Sequence, residues 1–347
     1  MGPILLRTGR SIIAIMSLEQ DIKDKAFELG LDAVGITDAS PIGREHAAHF
    51  EAWLHSGCVG PLLYMHRNLE KRIDPGKLMT GARSVIVVAL NYKPPVTPAM
   101  RRGPVGRVAQ FAWYTDYHGF IRSLLRELAD FVRLRTGPTH RFKICVDSAP
   151  LAEKALAVRA GLGFIGRNHL LIHPQLGPQV LLGELITTLD LQSDEPVIGA
   201  CAECDLCLRA CPTGALRRDG LLDARDCISC LTQYEPSPKI GTWLFGCDEC
   251  LLACPHYGRA PTCANGRLKR CIEWEGLDLR ELVGMTPETF ATRFHDSPMG
   301  KAGFETLQRN ARFCLQNVDH GARKMSRSVE GSSQPRISVP QDMPRRM

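Results

Sequence analysis

The chain has 347 residues, which is enough for two or three domains and for a sizeable core. Its hydrophobic fraction of 44% and charged fraction of 23% are ordinary for a globular protein, and they exclude a largely disordered or fibrous chain. No run of about 18 apolar residues occurs, so we expect no membrane span.

The net charge of +6 is unevenly distributed along the chain. Residues 321–347 carry six basic and two acidic side chains, which leaves a small excess for all the rest. Overall charge is therefore a weak argument for a nucleic-acid partner, and any basic groove has to be local. We predict a basic disordered tail at 321–347 and a disordered extension at 1–16, and the sequence leaves open whether Met1 or Met16 is the start.

Helical and strand patterns alternate along the first half of the chain. Ser17-Leu-Glu-Gln20 is a capping box at the start of the first helix, and Val85 to Leu90 is a continuous apolar run typical of a strand buried on both faces. The predicted helices cover 17–30, 44–55, about 118–135 and 148–161, and the predicted strands cover 31–37, 85–90, 141–146 and 179–191. This alternation predicts a mixed α/β (α+β) catalytic domain at 17–195.

Nine of the 14 cysteines fall between residues 201 and 254. Cys201, Cys204, Cys207 and Cys211 are followed by a proline, at the spacing that holds a [4Fe–4S] cluster in bacterial ferredoxins. A second run, Cys247-x2-Cys250-x3-Cys254 with a proline after it, lacks the first cysteine of the pattern. In such proteins the fourth cysteine of each run binds the other cluster.

We therefore predict a double [4Fe–4S] domain of bacterial ferredoxin type at 196–262, followed by a helical C-terminal segment at 263–320. The predicted ligands of one cluster are Cys201, Cys204, Cys207 and Cys254, and those of the other are Cys211, Cys227, Cys247 and Cys250. Zinc also accepts paired C-x2-C motifs, but two Cys-Pro endings favour iron–sulfur. Cys230 is either a competing ligand or a buried free thiol. Cysteines at cluster spacing indicate a reducing, cytoplasmic location.

Three further features bear on a site. Gly161-Leu-Gly163-Phe-Ile-Gly166 matches a dinucleotide fingerprint but follows a helix, so we interpret its glycines as admitting a different large ligand. Asp147 ends a strand and is either a helix cap or a catalytic carboxyl group whose pKa an apolar pocket could raise. His118 and His169 are either metal or cofactor ligands or structural residues.

Several ordered motifs are shared with one known family. They are Arg72-Ile-Asp-Pro-Gly-Lys-Leu78, Asp116-Tyr-His118, Val146-Asp-Ser-Ala-Pro150, Glu153-Lys-Ala-Leu-Ala-Val-Arg-Ala-Gly-Leu-Gly163 and Leu182-Gly-Glu-Leu-Ile-Thr187. With these motifs and the double cysteine pattern, the sequence from about 18 to 318 resembles the epoxyqueuosine reductases, which are cobalamin- and iron–sulfur-dependent enzymes of tRNA modification.

The resemblance implies a function, a cofactor set and a site. The reaction is the reduction of epoxyqueuosine to queuosine at the tRNA wobble position, with electrons passing through two [4Fe–4S] clusters to cobalamin and Asp147 as proton donor. The implied partners are the tRNA anticodon loop and an external donor such as flavodoxin or ferredoxin, and we expect a monomer. The implied cobalamin pocket comprises Arg72, Asp147, Gly166, Asn168, Leu171, Leu182 and Gln233.

Two alternatives remain at this point. One is a cobalamin and iron–sulfur reductase of a small molecule, similar to reductive dehalogenases, although those typically carry a twin-arginine signal that this sequence lacks. The other is a ferredoxin-like electron carrier, a function that would not account for the α/β domain.

Overall fold

The computed structural model describes residues 17–95 and 103–330, so the predicted extension at 1–16 lies outside the described residues. The helices are α1 (Leu18–Glu28), α2 (Arg44–His55), α3 (Leu69–Ile73), α4 (Pro75–Leu78), α5 (Tyr117–Thr136), α6 (Glu153–Arg159), α7 (Leu206–Ala210), α8 (Ile228–Tyr234), α9 (Glu249–Leu252), α10 (Pro255–Arg259), α11 (Leu279–Gly284), α12 (Pro287–Phe294), α13 (Pro298–Ala302) and α14 (Phe304–Glu330). The strands are β1 (Ala33–Asp38), β2 (Ser84–Asn91), β3 (Val105–Val108), β4 (Phe142–Cys145), β5 (Phe164–Ile165), β6 (Leu171–Ile172), β7 (Val180–Thr187), β8 (Trp243–Phe245) and β9 (Gly276–Asp278).

The main sheet has the strand order β1-β2-β7-β4, and every neighbouring pair in it is antiparallel. Helices α1 and α5 pack on one face around Ile86 and Leu124, and α6 packs on the other around Val87 and Leu156. Strand β2 is buried along its whole length because both faces are covered, as its apolar run predicts. The mixed helix-and-strand fold is thus confirmed. Because the neighbouring strands of the main sheet are antiparallel, the domain is of the α+β class.

A second core joins three parts of the chain that the sequence suggests as separate segments. The sheet β8-β3-β9 has β3, from the middle of the first segment, at its centre. Around it pack α8, α11, α12 and α14, with Phe294 and Leu307 fully buried. Strand β3 of the first segment, the cluster segment and the C-terminal helices therefore share one apolar interior.

Two predicted boundaries differ from the structure. The helix predicted over 148–161 begins only at Glu153, and its N-cap residue, Ala152, makes no side-chain capping bond. Residues 148–150 instead form a loop in which the hydroxyl of Ser148 accepts a hydrogen bond from Arg122. The disordered tail predicted from 321 is wrong at its start, because α14 continues to Glu330, while residues 331–347 lie outside the described ranges.

Within residues 17–95 and 103–330, no helix is both long and apolar enough to cross a lipid bilayer.

The second core depends on a buried amide, which gives a prediction for stability. Asn310 on α14 is fully buried and donates to the carbonyl oxygens of Thr232 (2.7 Å) and Leu244 (2.9 Å). We expect Asn310→Ala to lower the free energy of unfolding by about 1–3 kcal/mol, because it leaves buried carbonyls without a donor. The measurement is the urea unfolding midpoint of the cluster-loaded protein.

Asn317, seven residues further along α14, provides the matched control. It also donates to two carbonyl oxygens, those of Pro238 and Gly241, but at a solvent-exposed site where water can replace it. We expect Asn317→Ala to cost well under about 1 kcal/mol. Equal losses in the two variants would contradict the importance of burial here.

Candidate active site

Asp147 lies in a loop directly after β4, and its carboxylate is held by the start of α5. Its Oδ2 atom accepts hydrogen bonds from the Tyr117 hydroxyl at 3.1 Å and from Nε2 of His118 at 3.0 Å. The backbone of Asp147 has φ 55, a left-handed conformation that is uncommon outside glycine. Because its carboxylate faces α5 rather than the start of α6, the interpretation of Asp147 as a helix cap is wrong.

The other side of His118 contacts an ion pair. Its Nδ1 atom lies 2.7 Å from Oδ1 of Asp116 and 3.0 Å from Nζ of Lys301, and Lys301 lies 2.8 Å from Oδ2 of Asp116. Lys301 belongs to α13, so the C-terminal helices contribute to this network. The rings of Tyr117 and His118 stack with centroids 4.0 Å apart, which fixes both donors relative to Asp147.

These contacts decide where a proton resides. The hydrogen bond from His118 lowers the pKa of Asp147 although burial opposes it. Burial alone would lower the pKa of His118, but its hydrogen bonds to Asp147 and Asp116 outweigh this effect, so the pKa is raised. The raised pKa that an apolar pocket could give Asp147 is therefore absent. The two side chains act as a pair whose shared proton resides on the imidazole.

Asp147 is the member of the pair that faces open space. Its side chain is 60% exposed, compared with 13% for His118. The space is a cavity of about 950 Å³, at the upper end of the range for small-molecule sites. A smaller cavity of about 350 Å³ adjoins it and is also lined by Asp147, Tyr64 and Arg72.

The wall of the large cavity has more basic than acidic groups. It includes apolar side chains such as Phe50, Trp53 and Met65. Its charged and histidine side chains are Arg72, Lys154, Arg167, Arg217, Arg218, Glu45, Asp147, Glu153, His46, His49 and His169. Five cations against three carboxylates make the wall positive, which favours an anionic ligand.

Three of the predicted cofactor contacts, Arg72, Asp147 and Gly166, lie on this wall. The guanidinium of Arg72 donates to the carbonyl oxygens of Arg67 (3.2 Å) and Tyr64 (3.4 Å). These bonds fix the Arg72 side chain against the segment that precedes α3.

The remaining four predicted contacts do not line the cavity formed by the described residues. Asn168 and Leu171 are buried, and Leu182 packs against the core on the α6 side. Gln233 donates to the carbonyl oxygen of Ser229 one turn earlier in α8. Their role as cofactor contacts stays a prediction.

The glycine-rich stretch has a structural explanation. A Cβ atom on Gly161 would lie 2.6 Å from the carbonyl oxygen of Glu195, and one on Gly163 would lie 2.2 Å from that of Ile172. The close approach is therefore to protein backbone, and the interpretation that these two glycines admit a ligand is wrong. Strand β5 follows Gly163 directly, so the strand–turn–helix context of a dinucleotide site is absent from this segment.

His169 is a neutral residue on the cavity wall. Its pKa is lowered to about 4 by burial and then by the neighbouring Lys154 and His49. Its carbonyl oxygen accepts a hydrogen bond from Lys154 at 2.6 Å, and its ring lies 6.1 Å from that of His49.

Two exposed tyrosines face each other beside the cavity, and the sequence interpretation missed them. Tyr64 lines the cavity, and Tyr234 lies opposite it. Tyr64 and Tyr234 are 44% and 47% exposed, with ring centroids 6.5 Å apart. The guanidinium of Arg72 lies 5.7 Å from the Tyr64 ring. An aromatic ring exposed beside a cation could have indicated this position in the sequence, but the partner ring is 170 residues away.

The cysteines of the first predicted cluster are neighbours in space. The pKa of Cys207 is raised by burial, then by the thiols of Cys201 and Cys204. The pKa of Cys254 is also raised by burial, with the same two thiols among the further causes. The run at 201–207 and the end of the second run therefore meet, although their assignment as cluster ligands stays a prediction.

The cysteines of the second predicted cluster form a separate group. The pKa of Cys250 is raised by burial and then by the thiols of Cys247, Cys227 and, more weakly, Cys211. Cys230 is buried in α8, and burial followed by Cys227 raises its pKa to about 12, which keeps its thiol protonated. Because burial also raises the pKa of the predicted ligand Cys247 to about 12, this shift does not separate a structural thiol from a ligand.

The described residues include no group of three or more His, Cys, Asp or Glu side chains placed to hold a single metal ion. A zinc ion would hold every sulfur about 2.3 Å away, so its ligands would converge on one point. Thiols that are neighbours without converging suit a larger cluster.

The cavity wall contacts both cysteine groups through one turn. The amide nitrogen of Arg167 donates to Sγ of Cys201 at 3.4 Å, and the side-chain amide of Asn168 donates to the carbonyl oxygen of Cys250 at 3.4 Å. Gly166, the preceding residue, lines the cavity. One turn of the chain therefore connects the cavity wall to both cysteine groups.

Comparisons with known proteins agree with this geometry. A family model described as "Epoxyqueuosine reductase QueG, DUF1730" matches residues 72–148, the segment that ends with Asp147 and its loop. A second model, described as "4Fe-4S double cluster binding domain", matches residues 200–257. The cysteine-rich segment is therefore a double [4Fe–4S] cluster-binding domain.

Relatives and solved structures extend the match over most of the chain. An epoxyqueuosine reductase of Pseudomonas aeruginosa is 37% identical over 87% of this chain and 86% of its own length, and one of Cyclobacterium marinum is 35% identical over 85% and 96%. A crystal structure of epoxyqueuosine reductase with an epoxyqueuosine-modified tRNA stem loop covers 86% of this chain and 81% of its own, with a TM-score of 0.80 and 30% identity. This chain belongs to the epoxyqueuosine reductase family.

Proposed function

We propose that this chain reduces epoxyqueuosine to queuosine in tRNA, with Asp147 delivering a proton to the oxygen that leaves. The observation that carries the proposal is the exposed Asp147 carboxylate on the wall of a large, positive cavity, held by Tyr117 and His118. Relatives named epoxyqueuosine reductase, and the structure of one with a modified tRNA stem loop, support the choice of substrate.

The reaction needs both electrons and protons. Converting an epoxide to an alkene breaks two carbon–oxygen bonds, consumes two electrons and two protons, and releases the oxygen as water. An oxygen that leaves poorly as an anion leaves readily once it is protonated. A general acid placed beside it raises the rate about 10²–10⁴-fold. The Asp147–His118 pair supplies such a proton because the raised pKa of His118 keeps the pair loaded to a higher pH than an ordinary histidine would.

The proposed cofactors are two [4Fe–4S] clusters and cobalamin. Cys201, Cys204, Cys207 and Cys254 would hold one cluster, and Cys211, Cys227, Cys247 and Cys250 the other. Bound cobalamin would supply the low-potential cobalt centre that the reduction of an epoxide requires. The cavity of about 950 Å³ is large enough to favour a bulky cofactor, and Arg72 and Gly166 on its wall would contact it.

The substrate is presented by an RNA loop. Single-stranded loops are recognised by splayed bases that stack on aromatic side chains and by contacts to the phosphates. Tyr64 provides an exposed ring on the cavity wall, with the exposed ring of Tyr234 opposite it. Arg217 and Arg218 provide positive charge on the same wall. We infer a cytoplasmic monomer that takes electrons from a flavodoxin or ferredoxin.

The decisive experiment loads the anaerobically purified protein with both clusters and cobalamin and supplies a chemical reductant. The substrate is tRNA from a strain that lacks the reductase, and the readout is queuosine in the digested nucleosides. We expect queuosine from the wild-type protein. For Asp147→Asn, whose amide can keep a hydrogen bond to Tyr117 or His118, we expect kcat to fall about 10²–10⁴-fold with both cofactors retained.

Each other outcome identifies a different error. Bound cobalamin without queuosine would refute tRNA as the substrate and favour a small-molecule reductase. Protein that takes up clusters but no cobalamin would leave only an electron carrier. Full activity of Asp147→Asn would remove Asp147 as the acid.

The pH dependence of kcat tests the paired proton. Because its pKa is raised, His118 keeps its proton to a higher pH than an ordinary histidine, and kcat should fall as the pH rises through that value. In His118→Gln the amide can still donate to Asp147 but holds no titrating proton, so this alkaline limb should disappear along with most of the rate. His320→Gln, at an exposed site on α14, should keep the wild-type profile.

Stacking on Tyr64 is testable through substrate affinity. Base–aromatic stacking contributes about 1–3 kcal/mol, so Tyr64→Ala should weaken binding of the substrate tRNA about 5- to 150-fold. Tyr64→Phe keeps the ring and should bind almost as the wild type does. Filter binding of the cofactor-loaded protein measures both, and equal affinities for the Ala and Phe variants would contradict stacking.

A further inference from the structure

The reduction consumes two protons, and the Asp147–His118 pair holds one of them. The oxygen leaves as water only after it has received both. A second proton therefore has to reach the same oxygen, and its source is the subject of this inference, which rests on the proposed function.

Two further carboxyl groups, those of Glu153 and Glu184, lie on the protein side of Asp147. Glu184 is at the centre of β7, fully buried, with Val87 and Cys145 as its neighbours on the adjacent strands. Neither of its carboxyl oxygens has a hydrogen-bond partner within ordinary geometry among the described residues, although the carboxyl group of Glu153 lies beside it. An acid enclosed in this way is stable only with its proton bound.

Glu153 connects this buried acid to the active site. It is the first residue of α6, lines the large cavity, and accepts the backbone N–H of Asp147 on Oε1 at 2.6 Å. Glu153 therefore contacts the loop that carries Asp147 on one side and Glu184 on the other.

The surroundings of the two acids favour a proton on each of them, and the proton of Glu153 is the one that exchanges near pH 7. Burial and then the Asp147 carboxylate raise the pKa of Glu153 to about 7, opposed by the hydrogen bonds from the Asp147 N–H and from Glu184 and then by Lys154. Burial and then Glu153 raise the pKa of Glu184 well above its usual range. Burial, followed by Glu184, also raises the pKa of the adjacent Cys145 to about 12, so its thiol is not a competing charge.

We propose that Glu153 and Glu184 form a carboxyl pair with a proton on each acid, and that Glu153 supplies the second proton of the reduction by reloading Asp147. After Asp147 has protonated the leaving oxygen, a proton moves from Glu153 to the Asp147 carboxylate and Glu153 becomes ionised. Glu184 keeps its proton and stabilises that carboxylate by donating to it. Asp147 then gives the second proton and water leaves. Two protons from solvent in the cavity restore the resting state, one on Glu153 and one, taken up through Asp147, on His118.

Infrared difference spectroscopy of the cluster-loaded protein without substrate tests directly whether Glu153 and Glu184 carry protons. The wild-type protein should show the C=O stretch of protonated carboxyl groups at neutral pH, part of it titrating near pH 7. Glu153→Gln, which keeps an oxygen acceptor for the Asp147 amide, should lose the titrating part. Glu184→Gln should lose the part that persists at higher pH. A wild-type protein without this signal would overturn the proposal.

Turnover on tRNA tests the use of the proton. Glu153→Gln should lower kcat about tenfold or more and remove the part of its pH dependence that titrates near pH 7, while the part due to His118 remains and KM and cofactor absorbance are unchanged. Glu19→Gln is the matched control, because Glu19 also accepts a backbone N–H, that of Gln192 at 3.1 Å, on the distant α1. It should retain the wild-type spectrum and pH profile.

The outcomes separate this proposal from the proposed function. A wild-type rate and pH profile in Glu153→Gln would overturn the role of the pair while the reductase activity stands. A wild-type protein that forms no queuosine would refute the proposed function and this proton's role with it. The infrared titration would then still show whether both acids are protonated and whether Glu153 titrates near pH 7.

Discussion

The hydrogen bond from His118 to Asp147 is the centre of a network that connects the main sheet to the C-terminal helices at the candidate active site. Asp147 follows a strand of the main sheet. His118 lies in the first turn of α5, which contacts Lys301 of the C-terminal helices directly and through Asp116. A carboxylate exposed to a cavity and a shielded imidazole have complementary roles. The Asp147 carboxylate can contact a substrate, while the His118 imidazole holds the proton where solvent does not reach it easily.

The antiparallel sheet explains how so many acids come together. Its central strands are covered on both faces, so a carboxyl group placed there, as in Glu184, is removed from water. The first turn of α6 then sets Glu153 between that buried acid and the Asp147 loop. A parallel doubly wound sheet would place its ligands at the carboxyl ends of the strands. Here the site instead forms where a strand end meets the starts of two helices.

The parts that sequence predicted well are those set by local spacing. The cysteine runs were readable because a cluster requires ligands at fixed short intervals, and the first helix because Ser17 caps it, accepting the Gln20 amide. Helix α2 begins and ends at the residues predicted, Arg44 and His55. The family resemblance, and not spacing, supplied Asp147 as a proton donor.

The parts that sequence missed depend on contacts between distant residues. Nothing local to Tyr64 shows that Tyr234 lies opposite it, and nothing near Val105 shows that it begins the centre of a second sheet. Glu184 is visible in the sequence as an acidic residue within an otherwise apolar strand. Its role could not be predicted, because the sequence does not show that Glu153 lies beside it. The false helix start at 148 arose because Ser and Pro are common at helix starts, whereas here that segment is a loop.

The central position of β3 has a consequence for the order of events during protein synthesis. Its partners β8 and β9 lie more than 130 residues further along the chain, so the ribosome releases β3 long before either strand exists. The main sheet can close once β7 has emerged, but the second sheet must wait for Gly276–Asp278. Until then the apolar side chains of β3 are unprotected, and the cysteine-rich segment has no completed scaffold to receive iron. Metal loading is therefore expected to be a late, post-translational step in the maturation of this protein.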